Sequence, residues 1–367
     1  MAPADSLEPA DFKNVTIPVA VSVFPEERDV PGWPEGSWQP KVPPCAPIRG
    51  IYRAAAPLSD FDGPPTSDES AIFLLGESSG GGLTELEPLF MRYSDYKCFR
   101  FGFDSGVAFV SIDHPPINLL DEVLSQEFDR LGRELEADES VRVVVLQSAL
   151  PDFFIAHSGL GRVGSASKMV SLTRSFRLTQ TIGERFRNMP KVTIAKVEGR
   201  ARGGGSEIAL AMDMCFAAVG KAIFGHPEVA VGLVPGGGGT QRLPRLIGRG
   251  RALEVLLGCN DLSAVLAEHY GYINRALPAD ELTSFVEKLA HRIASFPAHA
   301  IAHAKAAVDA GAFSSMAEGL LMEARESDLS VASEVTQARV AEALKVGAET
   351  YEGELEMDYL SRLSPTR

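Results

Sequence analysis

The order of apolar and polar positions divides the chain at about residue 95. Beyond it the pattern is regular. Phe99–Phe103 and Val107–Ile112 alternate at the period of two that a half-buried strand requires, and Asp104-Ser-Gly106 between them reads as a hairpin turn. Leu119–Glu136 instead places Leu120, Val123, Leu124, Phe128, Leu131 and Leu135 at helical spacing. Val141–Gln147 (VRVVVLQ) is a continuous β-branched run, which predicts a strand covered on both faces. Ser171–Met189 predicts a second amphipathic helix, Val192–Val197 a second buried strand and Met214–Val219 a third. A helix follows the glycines at 203–205. Strands and helices in alternation with glycine-rich joints predict an α/β fold with right-handed crossovers. After Pro235 the pattern turns helical, over Leu246–Leu257, Asp261–Tyr270, Ala279–Ser295, Ala298–Gly311 and Met316–Leu344. The last of these carry one apolar face each, so they are expected to pack on the core or on another subunit.

Residues 1–95 lack this regularity. Fourteen of the 24 prolines fall here, as do both tryptophans. Proline fixes φ and removes a donor, which works against long helices and central strands. One short strand is expected at Val15–Phe24, and Glu77–Leu83 (ESSGGGL) reads as a flexible linker. The segment is read as a poorly structured extension. Residues 96–300 are then the core, and residues 301–367 a C-terminal helical region suited to oligomerisation.

Composition narrows the function classes. The formal net charge is -14 and the pI about 5.1, so the chain's field repels phosphate backbones and anionic lipid, and neither nucleic acid nor membrane is an expected partner. Cys45, Cys98, Cys215 and Cys259 are widely spaced, with no CxxC pair or Cys/His cluster of zinc-ligand spacing. Free thiols and no metal are the expectation. No apolar run approaches bilayer length, and the first residues, MAPADSLEPADF, have acids and prolines where a targeting peptide needs basic residues. A cytoplasmic location is the default, with organellar delivery left open.

Candidate chemistry gathers in three segments: Phe153-Phe-Ile-Ala-His-Ser-Gly-Leu160, Gly199-Arg-Ala-Arg-Gly-Gly-Gly-Ser-Glu207, and Phe224-Gly-His-Pro-Glu228 followed by Gly232-Leu-Val-Pro-Gly-Gly-Gly-Gly-Thr-Gln-Arg242. In the second, a strand runs into three glycines and then a helix. Glycine lets a ligand approach the backbone, and the unsatisfied N–H groups at the helix start can hold a developing oxyanion. Glu207 sits in that first turn, where a carboxylate has an ordinary explanation in the helix dipole. A phosphate loop would need Lys-Ser/Thr after the last glycine, and Ser206-Glu207 follows instead. A dinucleotide fingerprint does not fit either GRARGGG or PGGGG.

GGGSE, FGHPE and PGGGGTQRL in this order resemble the crotonase (enoyl-CoA hydratase/isomerase) superfamily, and the resemblance runs from about Tyr96 to the C-terminus. It implies a spiral of repeated ββα units with a C-terminal helical region, and a homotrimer or dimer of trimers. It implies an acyl-CoA substrate and no cofactor beyond the coenzyme A that the substrate carries. The thioester oxygen would lie between the backbone N–H groups of Gly204 and Ser158. His157 and Gly159 depart from the family's usual glycine and aspartate around that second donor. Glu207 and Glu228 map onto the carboxylate pair of family hydratases, which implies hydration of a 2-enoyl thioester. Glu207 would deprotonate the water and Glu228 would protonate Cα. Pro116, Ile117 and Asn118 of the loop His114–Leu119 would lie near coenzyme A, with Ala156, Ser158, Leu160 and Gly204. Isomerisation or acyl-CoA hydrolysis on the same scaffold, and a non-catalytic acyl-CoA-binding subunit, are the alternatives.

Further residues keep two readings. His226 either packs locally or tunes Glu228, and His157 either lines the acyl pocket or has no role. Arg200 and Arg202 either meet coenzyme A phosphates or form a solvated face. Val15–Pro31 faintly resembles a C-terminal segment of epoxide-hydrolase-like α/β-hydrolases, without a nucleophile elbow.

Overall fold

The computed structural model describes residues 93–161, 175–357 and 359–363. The strand at Val15–Phe24, the hydrolase-like segment, the linker and Cys45 lie outside the described residues. Valine and isoleucine runs build the centre. Six strands form one sheet in the order β1-β2-β3-β5-β7-β10: β1 (Phe99–Asp104), β2 (Val107–Ile112), β3 (Val143–Ser148), β5 (Val192–Val197), β7 (Met214–Ala218) and β10 (Arg275–Leu277). Only the β1–β2 hairpin is antiparallel; every other neighbour is parallel. A second sheet, β4-β6-β8-β9, is made of β4 (Phe153–Ile155), β6 (Arg200–Arg202), β8 (Ile223–Gly225) and β9 (Leu262–Ser263).

Helices close each repeat. They are α1 (Glu122–Ala137), α2 (Leu178–Asn188), α3 (Gly204–Ala211) and α4 (Gly239–Gly258). Thus β3-β4-α2, β5-β6-α3 and β7-β8-α4 are successive ββα units, one strand of each entering the large sheet and one the small. This is the spiral of repeats that the resemblance implied.

Period-two alternation decides which side chain faces which layer. Val144, Leu146, Ala195, Val197 and Ala217 face the main core with Phe128 and Phe186. Val143, Val145, Ile194, Phe216 and Ala218 face the opposite side, where Leu282, Val286, Ala290 and Ala294 of α6 (Leu282–Ala294) cover them. Burying each valine, leucine, isoleucine or phenylalanine among them contributes about 1.5–3 kcal/mol.

The remaining helices are α5 (Ala264–Tyr270), α7 (Ala298–Phe313), α8 (Met316–Val331), α9 (Glu334–Lys345) and two short ones at Tyr351–Glu356 and Tyr359–Arg362. The single helix expected over Met316–Leu344 is two, because Ser333 is extended (φ -69, ψ 131). The helix expected at Leu246–Leu257 begins at Gly239 and carries a non-helical Gly248. No described helix is long and apolar enough to cross a membrane.

Candidate active site

The site forms where the small sheet ends. β6 stops at Gly203, whose φ of +50 lies in the left-handed region, and α3 starts at the next residue. A Cβ on Gly203 would stand 2.8 Å from Glu228 Oε1, so the missing side chain is what lets that carboxylate approach the turn. A Cβ on Gly204 would collide with Ser158 Oγ and reach Leu120 at 3.0 Å. Gly204 and Ser158 are therefore neighbours, although 46 positions separate them (204 minus 158).

Ser158 is held by a parallel bridge to Leu120. Leu120 N donates to His157 O (3.0 Å) and Gly159 N donates to Leu120 O (3.1 Å), so the Ser158 N–H is turned away from Leu120. Asn118 braces the same loop. Its carboxamide is fully buried, accepts from His114 N at 2.8 Å and donates to Ser148 Oγ (2.9 Å) and Phe154 O (3.0 Å). These bonds commit its side chain to the fold.

Glu207 is 5% exposed. Its Oε1 accepts from Gly237 N at 2.8 Å and Gly239 N at 2.9 Å, which ties α3 to the glycine run at 236–239. Burial pushes the Glu207 carboxyl above its ordinary range, against the opposing pull of the Gly239 N–H, His226 and the Gly237 N–H. Glu228 opens the 3₁₀ turn Val229–Val231, and its Oε2 is buried.

Both carboxylates line one cavity of about 580 Å³. Ser158, Leu160, Gly203, Arg177 and Arg202 share it, and Leu178, Val231, Leu233 and Val234 make its apolar wall. The fold thus brings Glu207, Glu228, Ser158 and Leu160 to one place. Gly204 adjoins it through Ser158. Ala156 is buried and donates its N–H to Ile117 O (3.2 Å), outside the cavity lining. Pro116 and Ile117, beside the buried Asn118, also lie outside that lining. Among the described residues, no group of three or more His, Cys, Asp or Glu side chains is arranged to hold a metal ion.

Comparison with known proteins places the chain in a family. Residues 102–352 match the family model described as enoyl-CoA hydratase/isomerase. The chain belongs to the enoyl-CoA hydratase/isomerase family. It is 34% identical over 225 residues to the mitochondrial "Probable enoyl-CoA hydratase 2" of Arabidopsis thaliana, covering 60% of this chain and 73% of that one. It is 33% identical over 210 residues to the short-chain-enoyl-CoA hydratase of Clostridium acetobutylicum, covering 57% of this chain and 79% of the relative. A solved enoyl-CoA hydratase from Bacillus anthracis superposes with a TM-score of 0.63 at 26% identity, covering 74% of this chain and 98% of that one.

Around the two glutamates, this enoyl-CoA hydratase/isomerase family chain has charges already paired. Arg202 binds Asp261 through both branches of its guanidinium, with Nε to Oδ1 at 2.6 Å, which holds the Asp261 carboxyl below its ordinary range. Arg200 lies over the Phe153 ring at 5.8 Å. His157 lines the cavity while its Nδ1 contacts Ser158 O at 2.9 Å. Sequence reasoning missed Tyr272, which is buried and contacts both Ser206 Oγ and His226 Nε2. Nothing in the local pattern signals it, since it stands in a connecting segment 44 positions past Glu228 (272 minus 228).

Proposed function

We propose that this chain hydrates a 2-enoyl-CoA thioester, with Glu207 taking a proton from water and Glu228 delivering one to Cα. The observation that carries this reading is the shared cavity, where two carboxylates converge beside the Gly203–Gly204 turn and Ser158. Water addition across a conjugated double bond needs a base on one carbon and an acid on the next. Two carboxylates in a largely desolvated site hold protons with different strength, so one accepts while the other donates. The N–H groups of Gly204 and Ser158 would receive the thioester oxygen as it gains negative charge, a contribution of roughly 3–4 kcal/mol per donor in comparable sites. Val231, Leu233 and Val234 would contact the acyl chain. Coenzyme A enters as part of the substrate, and no separate cofactor is invoked. Copies of the chain would meet through α8 and α9, where Leu320, Leu321, Val335 and Val340 are exposed.

The test is turnover of crotonyl-CoA, read as loss of the conjugated enoyl absorbance. Glu228→Gln is expected to lower kcat by about 10³-fold or more with KM nearly unchanged, since the amide keeps the shape and loses the transferable proton. Wild-type turnover in that variant refutes the assignment. Product analysis separates hydration from isomerisation and hydrolysis, because only hydration adds water and keeps the thioester.

A further inference from the structure

Behind Glu228 lies a set of polar groups that the proposed reaction does not use. His226 is wholly buried and Tyr272 is 3% exposed. His226 Nε2 stands 3.0 Å from Tyr272 Oη, and Tyr272 Oη touches Ser206 Oγ. On the other side of the ring, His226 Nδ1 stands 3.6 Å from Glu228 Oε2. Both of these atoms are shut off from solvent, and neither has a hydrogen-bond partner among the described residues. A buried polar atom left unpaired costs about 1–3 kcal/mol. Two such atoms facing each other form one hydrogen bond with a small side-chain rotation.

We propose that His226 is a positioning residue for Glu228, holding its carboxylate through a one-way chain of donors from Ser206 to Tyr272 to His226. This rests on Glu228 being the proton donor of the hydration proposed above. The direction follows from relative acidity. A phenol is a better donor than an aliphatic hydroxyl, and an imidazole nitrogen is a better acceptor than a serine oxygen. Tyr272 Oη–H therefore donates to Nε2, and Ser206 Oγ–H donates to Tyr272. A neutral imidazole that accepts on Nε2 carries its proton on Nδ1. That N–H donates to Glu228 Oε2. Oε1, beside Gly203, is left to the cavity.

The groups facing the ring are Glu228, Tyr272 and Glu207, with Ser206 and Cys215 near Tyr272. The backbone at Gly239 is close enough that a Cβ there would stand 2.9 Å from the imidazole Cε1. A donor to a carboxylate favours its ionised form, and losing that donor disfavours it.

Two measurements on the full chain test this. In ¹⁵N spectra of the histidine side chains, the resonances lost in His226→Asn identify His226, and Nδ1 is expected to carry the proton. An Nε2-protonated ring overturns the proposal. In the pH profile of kcat for crotonyl-CoA, His226→Leu should move the high-pH limb upward by about one unit, because Glu228 loses its donor. His226→Asn, whose amide N–H takes the place of Nδ1–H, should bring the limb back. Tyr272→Phe should shift it in the same direction as His226→Leu and provides the readout if that variant does not fold. An unmoved limb in folded His226→Leu or Tyr272→Phe overturns the proposal. Wild-type turnover in Glu228→Gln would instead remove the catalytic role of Glu228, and the ring's protonation would still decide the direction of the donor chain.

Discussion

Residues 199–239 and residues 298–345 are built on opposite terms. In the first, three-residue strands and glycine turns bring backbone and carboxylate so close that a methyl group on Gly203 or Gly237 finds no room. In the second, α7 and α9 bury no residue at all and α8 buries only Gly319. Val308, Met316, Leu321 and Val331 stand open at 61–79% exposure. The helical region presents apolar side chains that the described residues leave uncovered.

The comparison breaks if the two regions respond alike to the same substitution. The largest effect is expected at Gly205, where a Cβ would overlap Ile155 O and stand 2.7 Å from Ile155 Cβ. Gly205→Ala should cost about 3 kcal/mol by thermal or denaturant unfolding, because β4 backbone must shift to admit it. The fastening between the regions comes next. Lys305 of α7 donates to Lys191 O and Asp213 Oδ2, both at 2.8 Å. Burial pushes the Asp213 carboxyl up, and Lys305 pulls it back. Lys305→Ala should destabilise the fold by roughly 1–2 kcal/mol, because the partly exposed Asp213 carboxyl and the Lys191 carbonyl lose their shared donor. A loss below half a kcal/mol would mean that α7 is not anchored there.

Glu207→Gln should act in the opposite direction. The folded pKa of Glu207 is raised, so the folded state binds its proton more tightly than the unfolded chain does. Relative stability is greatest below the unfolded value and falls as pH rises through the folded one. The neutral amide escapes that loss and can still accept from Gly237 and Gly239. The variant should melt later than the parent at pH 8, by the equivalent of about 1 kcal/mol, and the gap should close towards pH 4. Smallest is Gly311→Ala in α7, where a Cβ meets nothing within 4 Å. It should stabilise by about 0.5–1 kcal/mol, the ordinary helix preference for alanine. The two glycine-to-alanine changes therefore carry opposite signs.

The same division explains what the sequence disclosed. The hairpin, α1, β3, β5 and β7 follow from runs of five to sixteen residues, long enough for a period to register. The small sheet escaped, because strands of two or three residues such as β9 and β4 complete no period. Helical spacing located α8 and α9, yet not the break at Ser333, since serine fits both an interior turn and a cap. At the site, the glycine turn before a helix was legible in the sequence itself, whereas the pairing of Glu207 with Glu228 came from the resemblance of GGGSE and FGHPE to a known family. Tyr272 was not legible, because its contact with His226 exists only after folding closes a long loop. Asn118, which the resemblance places near coenzyme A, is buried with its carboxamide bonded to Ser148 and Phe154 O, contacts between distant positions that the sequence does not reveal.

The lip formed by Val231 and Val234 has a consequence for substrate choice. These side chains border the cavity yet are 60% and 73% exposed, while the Glu207 carboxylate beneath is buried and held by the Gly237 and Gly239 N–H groups. Exchanging them alters what the mouth of the pocket admits and barely touches folding free energy. On the proposed reaction, substitutions at this rim would change which acyl group the pocket admits while leaving the two glutamates in place.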